Sequence, residues 1–168
     1  MKKFVALLLA VLMVASLCAC GQKDTGSDLQ TVTKGKLIMS TNAEFAPYEY
    51  VADDGKGFQG TGYEGIDIEI AYALAQKLGL ELVVDNMDFD AALSAVQTGK
   101  SDMVAAGVTV TPDRLNAMSF TDSYANGVQV VIVKEGSDIK SIDDLQGKKI
   151  GTQRGTTGFL YCSDDFGD

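Results

Sequence analysis

From Lys36 onward, short apolar runs alternate with helical periodicity. Leu37-Ile38-Met39-Ser40 reads as a strand. Tyr48 to Val51 with Gly60 to Tyr63 reads as an irregular hairpin-like excursion around Asp53-Asp54-Gly55. Ile66, Ile70, Ala71, Leu74 and Leu78 recur at helical spacing, and Gly79 supplies a C-cap. A strand at Glu81–Val84, a helix from Phe89 to Thr98 stopped by Gly99, and a strand at Asp102–Ala106 follow. This alternation predicts an α/β fold, a parallel-rich sheet with helices on its faces. Further on come Phe120 to Asn126 and the apolar run Val128–Val133. Ser141-Ile142-Asp143-Asp144 has the form of a capping box opening a short helix that Gly147 ends, and Lys149-Ile150-Gly151 begins another strand. No internal repeat is visible, and a boundary between two lobes is placed near Tyr124–Gly127.

The first residues follow a different logic. Lys2 and Lys3 precede an apolar run from Phe4 to Leu17, too short to cross a bilayer comfortably, and small residues follow directly. This reads as an export signal. Leu17, Ala19 and Cys20 match the bacterial lipoprotein lipobox, in which cleavage leaves the cysteine as a diacylated N-terminus, although Cys18 departs from the usual residue type. An uncleaved anchor or a plain secreted protein are the alternatives. The expected division is a signal peptide and lipobox over 1–20, with Cys20 the lipid attachment site, and a polar tether over 21–35. A first lobe would span 36–126 and a partial second lobe 127–168.

Composition narrows the chemistry. The net charge is −9, and two units more negative without Lys2 and Lys3, which argues against nucleic acid and against docking on anionic lipid. There is no histidine, so the usual zinc sets and Ser-His or Cys-His pairs are excluded. With Cys18 removed and Cys20 lipidated, Cys162 has no disulfide partner and is read as a small hydrophobe. Neither metal nor cofactor is expected.

The most informative stretch runs from Ala106 to Arg114, Ala-Gly-Val-Thr-Val-Thr-Pro-Asp-Arg. Thr111 suits an N-cap, Pro112 the first helical position, and Arg114 the third. Unpaired amides, the helix dipole and a guanidinium together favour a free carboxylate, although the same letters also describe an ordinary helix start with a solvated arginine. Gly155-Thr156-Thr157-Gly158 offers a second turn of the same kind, or simply a strand-to-helix connection. Asp67 and Glu69 fall on an amphipathic helix and are expected to face solvent or to cap it.

Four segments in order resemble the extracytoplasmic solute-binding proteins of amino-acid ABC importers, the type II periplasmic-binding-protein family. They are Asn42-Ala43-Glu44-Phe45-Ala46-Pro47-Tyr48, Gly65-Ile66-Asp67-Ile68-Glu69-Ile70, Ala106 to Arg114, and Gly155 to Gly158. The resemblance implies two αβ lobes that clasp an amino acid. Phe45 and Phe89 would flank its side chain, although both also suit a core. Gly107 and Thr109 would take the α-ammonium, Arg114 the α-carboxylate, and Thr156 and Thr157 would add donors to that carboxylate. Asn42, Ala106 and Gly158 are further candidates. Asn42 stands where relatives selective for basic amino acids often carry an acid, which lowers the case for lysine or arginine and favours polar or uncharged ligands.

The implied partners are a permease with its ATPase, and the membrane through the lipid; the receptor would be a monomer outside the cytoplasm. Members of the family extend beyond the equivalent of Asp168, so the second lobe is expected to be incomplete and the chain a fragment. Two other functions fit the fold: an enzyme of the dehydratase type, or the sensory domain of a signalling receptor. The expected cleft residues are Phe, Gly, Thr and Arg, with none suited to proton transfer at neutral pH. A receptor that performs no chemistry is therefore the expectation.

Overall fold

A computed structural model describes residues 29–167. The expected signal peptide, the lipobox with Cys20 and most of the tether lie outside them. Strand β1 (Lys36–Thr41) is the centre of a three-stranded parallel sheet, between β5 (Glu81–Asn86) and β6 (Met103–Val104). Its register with β5 runs from Lys36 opposite Glu81 to Thr41 opposite Asn86, and Met39 lies opposite Met103 in β6. The expected third strand is thus shorter than Asp102–Ala106. Asp102 instead ties down the sheet's lower end, its carboxylate accepting the amides of Val32 at 2.7 Å and Ile38 at 2.8 Å.

The excursion between β1 and the first helix forms a small antiparallel sheet of β2 (Glu44–Phe45), β3 (Glu49–Val51) and β4 (Tyr63–Glu64). Helix α1 (Ile66–Leu78) then crosses back and ends at Gly79, whose φ of 69° is the left-handed cap expected there. Its buried stripe is not the expected one. Asp67, Ile68, Ala71 and Ala75 face inward, while Ile66, Ile70 and Leu74 are each more than a third exposed. Small side chains at 71 and 75 let the helix axis approach the sheet, which turns the larger residues outward. Met39, Ile68 and Ala71 form the core, surrounded by Phe58, Tyr63, Leu82, Val84, Met103 and Ala105. Truncating Ile68, which is fully buried, to alanine is expected to cost about 2–5 kcal/mol, read as a lower denaturation midpoint at unchanged m-value.

Helix α2 (Phe89–Gln97) packs on the other side of β1, where Ser40 Oγ donates to Ala92 O at 2.9 Å. Helix α3 (Pro112–Ala117) follows β6, and α4 (Thr157–Phe166) closes the described region. Between α3 and α4 the chain is extended and irregular. Lys149–Gly151 does not begin a strand, contrary to expectation, and the apolar run Val128–Val133 forms none either, with Val128 and Ile132 85% and 94% exposed. A strand exists only where a neighbour takes its amide and carbonyl groups, and no described backbone lies in register with these runs. The expected short helix is a single 3-10 turn, Ile142–Leu145. Asp144 holds it, accepting the amides of Lys140 and Ser141 at 2.9 Å each, and these bonds lower its pKa.

Candidate functional site

The carboxyl ends of the parallel strands open onto a cavity of about 240 Å³. This is where the crossovers of a parallel sheet leave space for a ligand. Asn42 continues β1, Ala106 and Gly107 lie just beyond β6, and Phe89 opens α2. Two bonds fix the rim after β1: Asn42 Nδ2 donates to Met87 O at 3.0 Å, and the Ala43 amide donates to Asn86 Oδ1 at 2.8 Å.

Arg114 dominates one wall. Thr111 caps α3, its hydroxyl accepting the Arg114 amide at 3.3 Å, with Pro112 at the first helical position. Arg114 is 9% exposed, and its guanidinium carbon lies 5.5 Å from the centroid of the Phe89 ring. Nη1 donates to Thr109 O and Nη2 to Gly155 O, both at 2.8 Å. A guanidinium has five N–H groups, so these two bonds leave donors for an anion. Burial lowers its pKa, and the charge of Asp90 opposes that shift. Arginine remains a cation under any ordinary condition.

The bond to Gly155 brings the turn at 155–158 against the first strands. Gly155 adopts φ 78°, and a Cβ there would run into the Asp90 carboxylate. The left-handed backbone favours glycine at 155, and any larger residue would also push the Asp90 side chain aside. Arg154 Nε lies 3.4 Å from Asp90 Oδ2, and Gln153 Nε2 donates to Asn42 Oδ1 at 2.8 Å. Thr156 caps α4, accepting the Phe159 amide at 3.2 Å, while the nearly buried Thr157 hydroxyl accepts from Gln129 Nε2 at 3.1 Å.

The cavity wall includes Phe45, Phe89, Gly107, Thr109, Arg114, Thr156 and Thr157 together with Asn42 and Ala106. Phe45 is half exposed and stacked on Tyr48 with centroids 5.4 Å apart, whereas Phe89 is buried beneath Arg114. Gly107, at φ 53°, passes so close to Phe45 that a Cβ would meet its ring at 2.9 Å. Gly158 does not line the cavity; it sits one step behind, near Gln129 Oε1.

Three lining residues escaped the sequence reading: Glu49, Gln129 and Gln153. Gln153 directly precedes the Arg154-Gly155 turn, and this position was the available signal. Glu49 corrects two expectations. It is 1% exposed and places a carboxyl in a cleft where no proton-transfer group was expected. Its partner is Asp67, which is fully buried and does not face solvent. Asp67 Oδ2 accepts the Gly107 amide at 2.9 Å, so the first turn of α1 points its acid at the loop after β6. Burial first, and the neighbouring Asp67 second, raise the Glu49 pKa to about 10. Glu69, by contrast, is exposed as expected.

A model of the bacterial extracellular solute-binding proteins, family 3, matches residues 37–163, and the chain belongs to this family. It is 38% identical over 156 residues to the arginine-binding extracellular protein ArtP of Bacillus subtilis (strain 168), covering 93% of this chain and 57% of that protein. It is 30% identical over 151 residues to the L-cystine-binding protein TcyJ of Escherichia coli (strain K12), covering 88% of this chain and 54% of that protein. Among solved structures, the arginine-, lysine-, histidine-binding protein ArtJ of Geobacillus stearothermophilus superposes with a TM-score of 0.70 at 34% identity, covering 79% of this chain and 55% of that one. The fold is therefore that of a type II periplasmic-binding protein. The chain spans between half and three fifths of the length of these relatives.

Proposed function

We propose that this chain carries the amino-acid-capturing part of an ABC importer's substrate receptor. The observation that carries the reading is the buried guanidinium of Arg114, aimed into a cavity where it meets the 155–158 turn at Gly155 O. A free carboxylate docks on Arg114, and the helix N-termini capped by Thr111 and Thr156 add favourable fields. The α-ammonium lies toward Gly107 and Thr109, and Phe45 covers the apolar part of the side chain. Asn42 and Gln153 hydrogen-bond each other across the cavity and form its polar end. Residues 36–126 act as one lobe and 127–168 as part of the other, and closure follows from bonds to the second lobe that exist only when the two meet.

The loaded receptor delivers its ligand to a permease driven by a separate ATPase. It is held outside the cytoplasm as a monomer by lipid on Cys20. The named ligands of the relatives, arginine and cystine among them, make polar and cationic amino acids the first panel to test. No chemistry on the ligand is required, and the amino acid should be recovered unchanged by chromatography after incubation.

Denaturation of the full chain with and without that panel tests the reading. An amino acid at about 100 times its dissociation constant raises stability by roughly 2.7 kcal/mol. Absence of any shift across the panel would remove the receptor function from this chain.

A further inference from the structure

Two acids meet where the cavity reaches the loop after β6. Glu49 comes from β3 and Asp67 from the first turn of α1, and both are essentially inaccessible to solvent. Asp67 uses Oδ2 to accept the Gly107 amide, while Asp67 Oδ1 and Glu49 Oε2 are buried without another hydrogen-bond partner. Two ionised carboxylates cannot bond to each other, but one proton makes Glu49 the donor and Asp67 the acceptor. The groups facing Glu49 from packed segments are Asp67 on α1 and the phenol of Tyr124, with Tyr48 directly before it in the chain. Burial raises the pKa of the Tyr124 phenol and keeps it neutral, and a phenol carries no positive charge in either of its forms. Arg114 is the cation lining the same cavity.

We propose that the Glu49–Asp67 pair is a proton-linked subsite for the ligand's ammonium: Glu49 Oε2 releases its proton to solvent as the ammonium arrives and regains it as the ligand leaves. The inference rests on the receptor reading above and deepens it. Among the described residues no cation bonds to the two acids, since Arg114 donates to Thr109 O and Gly155 O instead. An ammonium brought to Gly107 supplies a positive charge, and a neighbouring opposite charge typically favours the ionised carboxyl by about 1–3 pH units. The O–H bond of Glu49 breaks, the proton passes to buffer, and the added negative charge is matched by the ammonium. Since bound protein holds fewer protons than free protein, affinity rises with pH over the interval between the two pKa values. The free-state carboxyl titrates at about 10, so the interval opens below that.

Calorimetry of the full chain with L-arginine and L-glutamine, in buffers of differing ionisation enthalpy at about pH 8, counts the protons released. Glu49→Gln is the comparison, because an amide keeps the shape and a donor toward Asp67 but has no proton to lose. The wild type is expected to release several tenths of a proton more than the variant, and its affinity relative to the variant to rise roughly threefold or more between about pH 7 and about pH 8.5. Should the variant not fold, release by the wild type above the ligand's own contribution remains the measure. Binding with equal proton counts in both proteins would overturn the proton linkage and leave the receptor reading standing. No binding of either amino acid by the wild type would overturn both.

Discussion

Arg114→Ala is expected to abolish measurable amino-acid binding by calorimetry while leaving the circular dichroism of the chain essentially unchanged. Two charge-assisted bonds to a carboxylate are each worth about 1.5–3 kcal/mol, and a carboxylate left without them in a water-poor cavity also loses its hydration unrepaid. Together these terms exceed about 3 kcal/mol, roughly a hundredfold or more in affinity. The loss is larger than charge alone would give, because the fork of the guanidinium is oriented in advance. Thr111 caps its helix, Phe89 lies beneath its plane, and Thr109 O and Gly155 O fix two of its N–H groups. Arg114→Lys tests this point: it keeps the charge but loses the fork, and should recover only a small part of the affinity. Unchanged binding in Arg114→Ala would take this residue out of the site.

Removal of Arg114 also orphans the carbonyls of Thr109 and Gly155, a cost of about 1–3 kcal/mol for each that cannot turn to water. The Gly155 bond joins residues 41 apart in sequence, so part of that cost falls on the docking of the 155–158 turn and little on the parallel sheet. Stability and binding losses can therefore be separated. The core around Met39 and Ile68 does not touch the guanidinium and should unfold with an unaltered m-value.

The features most legible in the sequence are those set by a few adjacent residues. Thr111-Pro112-Asp113-Arg114 carries its own cap and first turn, and Leu78-Gly79 its own stop, so both helix ends fall where the letters put them. The parallel alternation of β1, α1 and β5 was legible for the same reason. What escaped depends on partners distant in sequence. Asp67 has the setting of a solvated first-turn acid, and only the arrival of Gly107, forty residues on, makes it a buried acceptor. Glu49 has no local signal of altered chemistry, since Asp67 and burial together create it. The apolar run at Val128–Val133 forms no strand for a related reason: a run of β-branched residues marks a segment able to pair, and pairing needs a neighbour.

Gly65→Ala should be a strongly damaging single-methyl change, because the added carbon meets two independent penalties. Gly65 sits at φ 122° and ψ 171°, a region essentially reserved for glycine, where a side chain costs about 1–3 kcal/mol. Its Cβ would also come within 2.9 Å of Pro47 O, and closer still to Tyr48 O. Those carbonyls cannot give way cheaply, since they accept the first amides of α1, from Ile66 at 3.1 Å and Asp67 at 2.9 Å. Relief of the clash would break these bonds and push β3 away from the helix, separating Glu49 from Asp67. A total of about 3–5 kcal/mol is expected, a large share of the stability of an ordinary domain, read from the urea midpoint. Gly55→Ala is the matched control: its φ of 67° carries the left-handed penalty, but nothing lies within 4 Å of the new carbon. That variant should lose only about 1 kcal/mol. Equal losses in the two would show that backbone conformation alone, and not the close approach of the Tyr48 carbonyl, sets the requirement for glycine at 65.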